Sequence, residues 1–277
     1  MKIFIMTDVE GCAGVLNFAD WTNPEARYYE KAKRFLTYEA NAAISGLAEG
    51  GADEFTVIDG HGHGAIDPEL LDERAILVRG HRENIWPWGL DKTYEAVAFV
   101  GQHAKAGTPY SHLTHTGNCR VIEDTINGIS IGEYGKLALC AMELDIPVIL
   151  ACGERALTHE AEVLTPGVVT ASVKEGLLPD NGFRDASMEE YRAAKLSAAH
   201  LSPEKARKVI RAAAVKAIEK LKSAPKSFKF PELHPPYKRI VEYRRSEALK
   251  DPAFKSVTAH PSSIAELLNQ PINRENP

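Results

Sequence analysis

The sequence predicts an α/β fold: a mostly parallel sheet flanked by helices, with an inserted hairpin and a smaller C-terminal α+β region. Three observations predict it. The runs KIFIMT (2–7), FTVI (55–58), AILV (75–78), AVAFV (96–100) and IPVILA (146–151) have strand length and no polar alternation. Strands covered on both faces look like this. Helical periodicity or long connections separate them, as a parallel sheet requires. Finally, 277 residues with 44% apolar and 26% charged side chains are ordinary globular composition, long enough for a sizeable core. Disorder, collagen-like repeats and a coiled coil are excluded as descriptions of the whole.

Taken in order, the first strand stops at Asp8. Residues 24–49 read as a helix, with Ala32, Phe35, Leu36, Ala40, Ala43, Ile44 and Leu47 at three- and four-residue steps and Gly50-Gly51 as its stop. The second strand ends in Asp59-Gly60-His61 and the fourth in Gly101-Gln102-His103. From 104 to 135 Gly107, Pro109 and Gly117 break any helix. Asn127-Gly128, between residues 119–125 and 129–131, predicts a hairpin inserted in the sheet frame. The fifth strand is followed by a helix from Glu154, then a strand over 168–173. Ser202-Pro203 opens a long helix whose Lys/Arg-rich face reads as solvated surface. After a Pro- and Lys-rich linker (224–236) come strands at 240–243 and 254–258, a short helix from Ser263 and a polar tail. The pattern divides the chain into residues 1–175 and a smaller region, 176–277, separate or packed with the first as one unit.

Net charge is −5, so no basic field holds nucleic acid or an anionic membrane. No apolar stretch approaches the roughly 20 residues of a membrane span, and the N-terminus lacks the pattern of a signal peptide. Cys12, Cys119, Cys140 and Cys152 form no CxxC pair and no disulfide framework. A cytoplasmic protein is expected.

In an open parallel sheet ligands bind beyond the carboxyl ends of the strands. Strand one ends there in Asp8 and Glu10, strand two in His61, strand four in His103, and Glu133 follows the hairpin. An Asp or His alone at a strand end is usually a turn former. Three strand ends that each close on such a residue beside a glycine (Gly11, Gly60, Gly101) point instead to a metal crevice. Carboxylates aimed into one crevice repel unless a cation separates them. The mixed N/O set suits zinc, with manganese and cobalt as competitors. Five ligands are too many for one tetrahedral ion and suit two metals that share a carboxylate.

As an ordered set, TDVEG (7–11), LTYEAN (36–41), DGH (59–61), GQHAKAGTP (101–109), THT (114–116), IGEYG (131–135) and IPVILACGE (146–154) resemble the DppA-type zinc D-aminopeptidases. The resemblance is good over residues 1–175 and looser through LSPEKA (201–206). It implies two zinc ions per chain on Asp8, Glu10, His61, His103 and Glu133, and a catalytic histidine at His115. It also implies hydrolysis of the N-terminal residue of short peptides, D-amino-acid peptides among them, by a metal-activated water, in a homo-oligomer that is a decamer in the family. Where the family is expected to carry two aspartates, this chain has Glu154-Arg155, and residues 177–191 read as an insertion outside the ligand motifs. His112 reads as an exposed loop imidazole and Cys12 as a buried small residue. Trp86 and Trp88 read as core anchors, and His63 as a turn residue. His81, His159, His200, His234 and His260 have no motif companions. Two rival readings stand beside the peptidase. One is a dinuclear phosphoesterase, with Asn118 and Arg120 to hold phosphate; the other is a peptide- or metal-binding homologue without turnover.

Overall fold

The computed structural model describes residues 1–80, 84–179 and 183–275; His81 lies outside them. In chain order the elements are β1 (Lys2–Thr7), α1 (Phe18–Trp21), α2 (Tyr29–Glu49), β2 (Glu54–Asp59), β3 (Ala75–Val78), β4 (Ala96–Gln102), β5 (Val121–Ile126) and β6 (Ile129–Ser130). Then follow α3 (Glu133–Glu143), β7 (Val148–Glu154), α4 (Arg155–Leu164), β8 (Val169–Gly176), α5 (Met188–Ala193), β9 (Ala198–His200), α6 (Pro203–Ser223), β10 (Tyr237–Tyr243), β11 (Phe254–His260), α7 (Ile264–Asn269) and β12 (Arg274–Glu275).

Seven strands form the main sheet in the order β3-β2-β1-β4-β7-β8-β9, parallel except for β9. Alternation along β1 sends Ile3 and Ile5 to one face and Phe4 and Met6 to the other. The first pair joins the core under α2 and α6; the second joins the core under α3 and α7. Strands buried on both sides have no solvated face to carry polar residues, which is why their sequences are continuous apolar runs. The chain leaves β1 for β2 and β3 on one side, then returns to place β4 on the other. That reversal opens a crevice beyond the carboxyl ends of β1 and β4.

The expected hairpin is present as β5 and β6, with Asn127 at φ 49° and Gly128 at φ 83°, the two left-handed residues of a type I′ turn. It does not stay a local insertion. β5 pairs with β10, giving a second, antiparallel sheet, β12-β11-β10-β5-β6. Asp124 on β5 ties this sheet down, because it takes a bidentate pair from Arg239 of β10 and an ion pair at 3.0 Å from Lys136 of α3. Among the described residues no helix is long and apolar enough to cross a membrane, and all four cysteines are free and buried.

A candidate metal centre at the switch point

Beyond the ends of β1, β2 and β4 lies a cleft of about 590 Å³ whose lining includes Asp8, Glu10, His61, His115 and Glu133. The loop after β1 carries Asp8 and Glu10 into it. Gly11 Nα donates to the Gly101 carbonyl at 2.7 Å, so the loops after β1 and β4 cross in contact. A Cβ on Gly11 would strike the Gln102 carbonyl, and one on Gly101, at φ 72°, the Asp8 carbonyl. Only glycine permits that crossing, which brings Asp8 beside His103.

The histidines share one arrangement. His61 Nε2 donates to the Thr22 carbonyl at 2.8 Å, which leaves Nδ1 at 3.2 Å from Asp8 and 3.1 Å from Glu10. His103 Nδ1 donates to the Ala104 carbonyl at 2.9 Å, and its Nε2 lies 3.2 Å from Asp8 and 3.5 Å from Glu133. His115 Nδ1 donates to the Leu113 carbonyl at 3.0 Å, and its Nε2 sits 3.8 Å from Glu133. In each ring one N–H is anchored on backbone and the other nitrogen faces carboxylates. Metal-binding imidazoles are oriented this way.

One ligand atom from each of Asp8, Glu10 and His103 lies within 4.8 Å of the other two, and the same holds for His103, His115 and Glu133. His103 belongs to both groups. Glu10 Oε2 and His103 Nε2 are fully buried yet meet no partner with hydrogen-bond geometry, although charged atoms stand just over 3 Å away. Buried polar atoms are normally satisfied. Lone pairs converging at ligand–ligand spacing without hydrogen bonds fit divalent cations.

Charge supports the same fit. Burial alone would lower His61, but the nearby carboxylates of Glu10 and Asp8 carry it up to about 12. Burial opposes His103 in the same way, and Glu133 and Asp8 raise it well above the usual histidine range. Against the pull of burial, His103 and His61 hold the Asp8 carboxyl well below its ordinary value, and His103 brings Glu133 down to about 2. The cluster thus balances its carboxylates by keeping protons on imidazoles. Divalent cations would supply that positive charge with the imidazoles neutral.

Several neighbours bear no motif signal. Gln102 Nε2 donates to Asp8 at 3.1 Å. Lys174, buried on β8, donates its Nζ to the Glu10 carbonyl from behind, and Glu39 of α2 accepts from Ala13 Nα at 3.0 Å. A lone lysine in the apolar alternation of β8 was the one visible hint. Asp59 takes the backbone N–H groups of Ala65 and Ile66 and acts as a turn former.

One expectation needs correction. His112 is not an exposed loop imidazole: it is fully buried, with Nε2 donating to the Leu16 carbonyl at 3.1 Å and its backbone N–H bonded to Glu154. Its loop folds inward because buried Glu154 also takes Ala104 Nα at 3.2 Å, which reels in both ends of the segment after β4. His200, which has no motif companion, packs edge-on against His112 at 5.3 Å and accepts from Gly14 Nα at 3.1 Å. Cys12 is buried as expected. Trp86 and Trp88 pack on the core and line the cleft as well, and His63 also borders the cleft. Arg120 reaches Asp251 at 2.7 Å and the Arg244 and Pro252 carbonyls, which deprives a phosphate-binding reading of its arginine.

The comparisons with known proteins agree with this geometry. A D-aminopeptidase of Bacillus subtilis (strain 168) is 33% identical over 180 residues, covering 63% of this chain and 64% of that protein, a little under two thirds of its length. The structure described as the Zn-dependent D-aminopeptidase DppA from Bacillus subtilis, a self-compartmentalizing protease, superimposes with a TM-score of 0.80 at 24% identity. It covers 97% of this chain and 95% of its own, which establishes the fold. The D-aminopeptidase family model of M55 peptidases matches residues 1–255, and the chain belongs to that family.

Proposed function

We propose that the protein is a dinuclear zinc aminopeptidase that removes the N-terminal residue of short peptides, D-residues among them. Asp8, Glu10, His61, His103 and Glu133 hold the two ions, and His115 is the catalytic histidine. The observation that carries this reading is the convergence of these six side chains in one cleft, with imidazole nitrogens anchored on backbone carbonyls and buried donor atoms left without hydrogen bonds. Held by these residues, two divalent cations would supply Lewis-acid polarisation of a scissile carbonyl and acidification of water.

The chain's own groups do the rest. His115 is stacked on His103 at 4.1 Å and meets the edge of Phe18 at 5.5 Å, so its ring plane is fixed. With Nδ1 tied to Leu113, Nε2 is the atom that holds a proton for the leaving amine or steadies the oxyanion. The cleft carboxylates offer a place for the substrate's ammonium group, which accounts for cleavage at the amino end. A homo-oligomer, a decamer by family resemblance, working in the cytoplasm completes the reading; the free cysteines and the self-compartmentalizing relative support it.

Elemental analysis of the purified protein, paired with a D- and L-dipeptide library and a generic phosphate ester, tests it. About two zinc ions per chain with hydrolysis of peptides alone is the expected result. Phosphate-ester cleavage, or bound metal with no peptide turnover, would replace it with one of its rivals.

A further inference from the structure

Among the described residues that line the cleft, one cation has no assigned task. Its lining includes the carboxylates of Asp8, Glu10 and Glu133 and the side chains of Lys136 and Arg192. Lys136 is committed to Asp124 at 3.0 Å. Arg192 is exposed, and among the described residues it makes neither an ion pair nor a hydrogen bond; its guanidinium lies over the Phe18 ring, 5.8 Å from the centroid.

Its position is built rather than accidental. Arg192 stands on α5, whose start carries a reciprocal capping box between Ser187 and Glu190. Met188 Nα donates to the Arg245 carbonyl at 2.9 Å, and Glu189 takes the Ser246 hydroxyl at 2.8 Å and the backbone N–H groups of Glu247 and Ala248. Met188 and Arg192, four residues apart, share one helix face, and both line the cleft. Phe18 links this wall to the chemistry, because the ring under Arg192 is the ring that meets His115 at 5.5 Å. Buried Cys119, also in the lining, lies within reach of the charges of Arg192, Glu10 and His103 alike.

We propose that Arg192 binds the C-terminal carboxylate of the substrate, making free-acid di- and tripeptides the preferred class. This rests on the peptidase reading. A free peptide is dipolar, and with its ammonium end at the metal cluster its carboxylate needs a cation elsewhere in the cleft. The planar guanidinium fork matches a carboxylate in bidentate fashion. Each extended residue spans about 3.3–3.6 Å, so a leaving portion of one or two residues carries its carboxylate about 3.5–7 Å from the scissile bond, toward the wall that Phe18 and Arg192 form. The anchor holds ground state and transition state alike and therefore acts on KM.

The test compares zinc-loaded wild type, Arg192→Met and Arg192→Lys on alanyl-alanine in D- and L-forms, on its C-terminal amide, and on alanyl-aspartic acid α-amide, whose only carboxylate is on the side chain. In wild type the KM for the free acid should be lower than for the amide by about 10- to 100-fold at similar kcat. Arg192→Met should raise the free-acid KM to that of the amide, with an unfolding midpoint and zinc content like wild type showing that the variant is folded; Arg192→Lys should recover part of the loss. Equal KM for acid and amide in wild type, or discrimination that survives in Arg192→Met, overturns the assignment and leaves the peptidase reading intact. So does an aspartic α-amide that matches the free acid, since the site would then read side-chain carboxylates. A wild-type enzyme that cleaves no peptide sinks both.

Discussion

Two histidine pairs lie on opposite sides of the loop that follows β1, and they are driven in opposite directions. His61 and His103 face Asp8, Glu10 and Glu133 and are carried up, against the effect of burial. His112 and His200 lie behind the loop. Burial, reinforced by the Lys174 charge, pushes the first down to about 2 and the second to about 4. The residue type is the same and burial lowers all four, His200 only half-buried; the sign of the nearest charges decides. The front pair gathers donor atoms toward a cleft, and the rear pair is kept neutral as part of the packing that holds the loop. From the rear, Lys174 grips the Glu10 carbonyl, Glu39 takes Ala13 Nα and His200 takes Gly14 Nα.

The largest effects should come from the front. His115→Ala is expected to lower kcat by about 10²–10⁴-fold while metal content stays near two per chain. Loss of one ion instead would make His115 a ligand, which its grouping with His103 and Glu133 allows geometrically. Glu10→Ala should lose metal and activity together, and a metal-replete Glu10→Ala protein would break the proposed ligand set.

At the rear the expected loss is of stability. Lys174 is fully buried beside Glu154 and Glu39, and Lys174→Met strands those acids without their cation. Removing one partner of a buried charge cluster costs about 3–5 kcal/mol. Urea denaturation of metal-loaded protein should show that loss, and an unchanged midpoint would mean that the rear cluster does not brace the loop.

The front was far more legible in the sequence than the rear. Asp8, Glu10, His61 and His103 sit at strand ends beside glycines, and a parallel sheet sends strand ends to one edge, so one-dimensional spacing carried three-dimensional information. The strands were legible for the same reason: burial on both faces leaves an apolar run. Boundaries shifted where contacts outside the segment decide them. The expected helix at 24–49 begins only at Tyr29, because a turn bonds Tyr28 Nα back to the Asp20 carbonyl. His112, Lys174 and Glu39 meet only through packing of distant elements, and no local pattern marks such a meeting. Arg192 likewise gains meaning only from the face that α5 turns to the cleft.

The pH dependence of stability separates the pairs further. His112 and His200 titrate in the unfolded chain near 6.5 and in the folded protein only near 2 and 4. Below pH 6.5 the unfolded state binds the extra protons, so stability falls as pH falls; above it these groups contribute nothing. Each such proton is worth about 1.4 kcal/mol per pH unit. His112→Gln, which can still donate to the Leu16 carbonyl, should flatten the stability curve between pH 6.5 and 4 by about one proton in a thermal-shift or urea series. An unaltered slope would remove His112 from the account of acid sensitivity.

Glu39→Gln should give the smallest effect, and of opposite sign. Burial raises the Glu39 carboxyl from 4.5 to about 7, although Ala13 Nα and the Lys174 charge pull it down. Between those values the folded state holds a proton that the unfolded state has released, so this group costs stability as pH rises from 4.5 toward 7, and the cost persists above. Glutamine keeps an acceptor for Ala13 Nα and cannot ionise, which removes the cost. It adds a buried N–H₂ where Glu39 Oε2 has no hydrogen-bond partner, so the net gain at pH 8 is expected to be only about 1 kcal/mol. The variant should be no more stable than wild type at pH 4.5 and more stable at pH 8. A loss at pH 8 would show that the ionised Glu39 carboxylate stabilises the fold as a counter-ion for Lys174 rather than costing it.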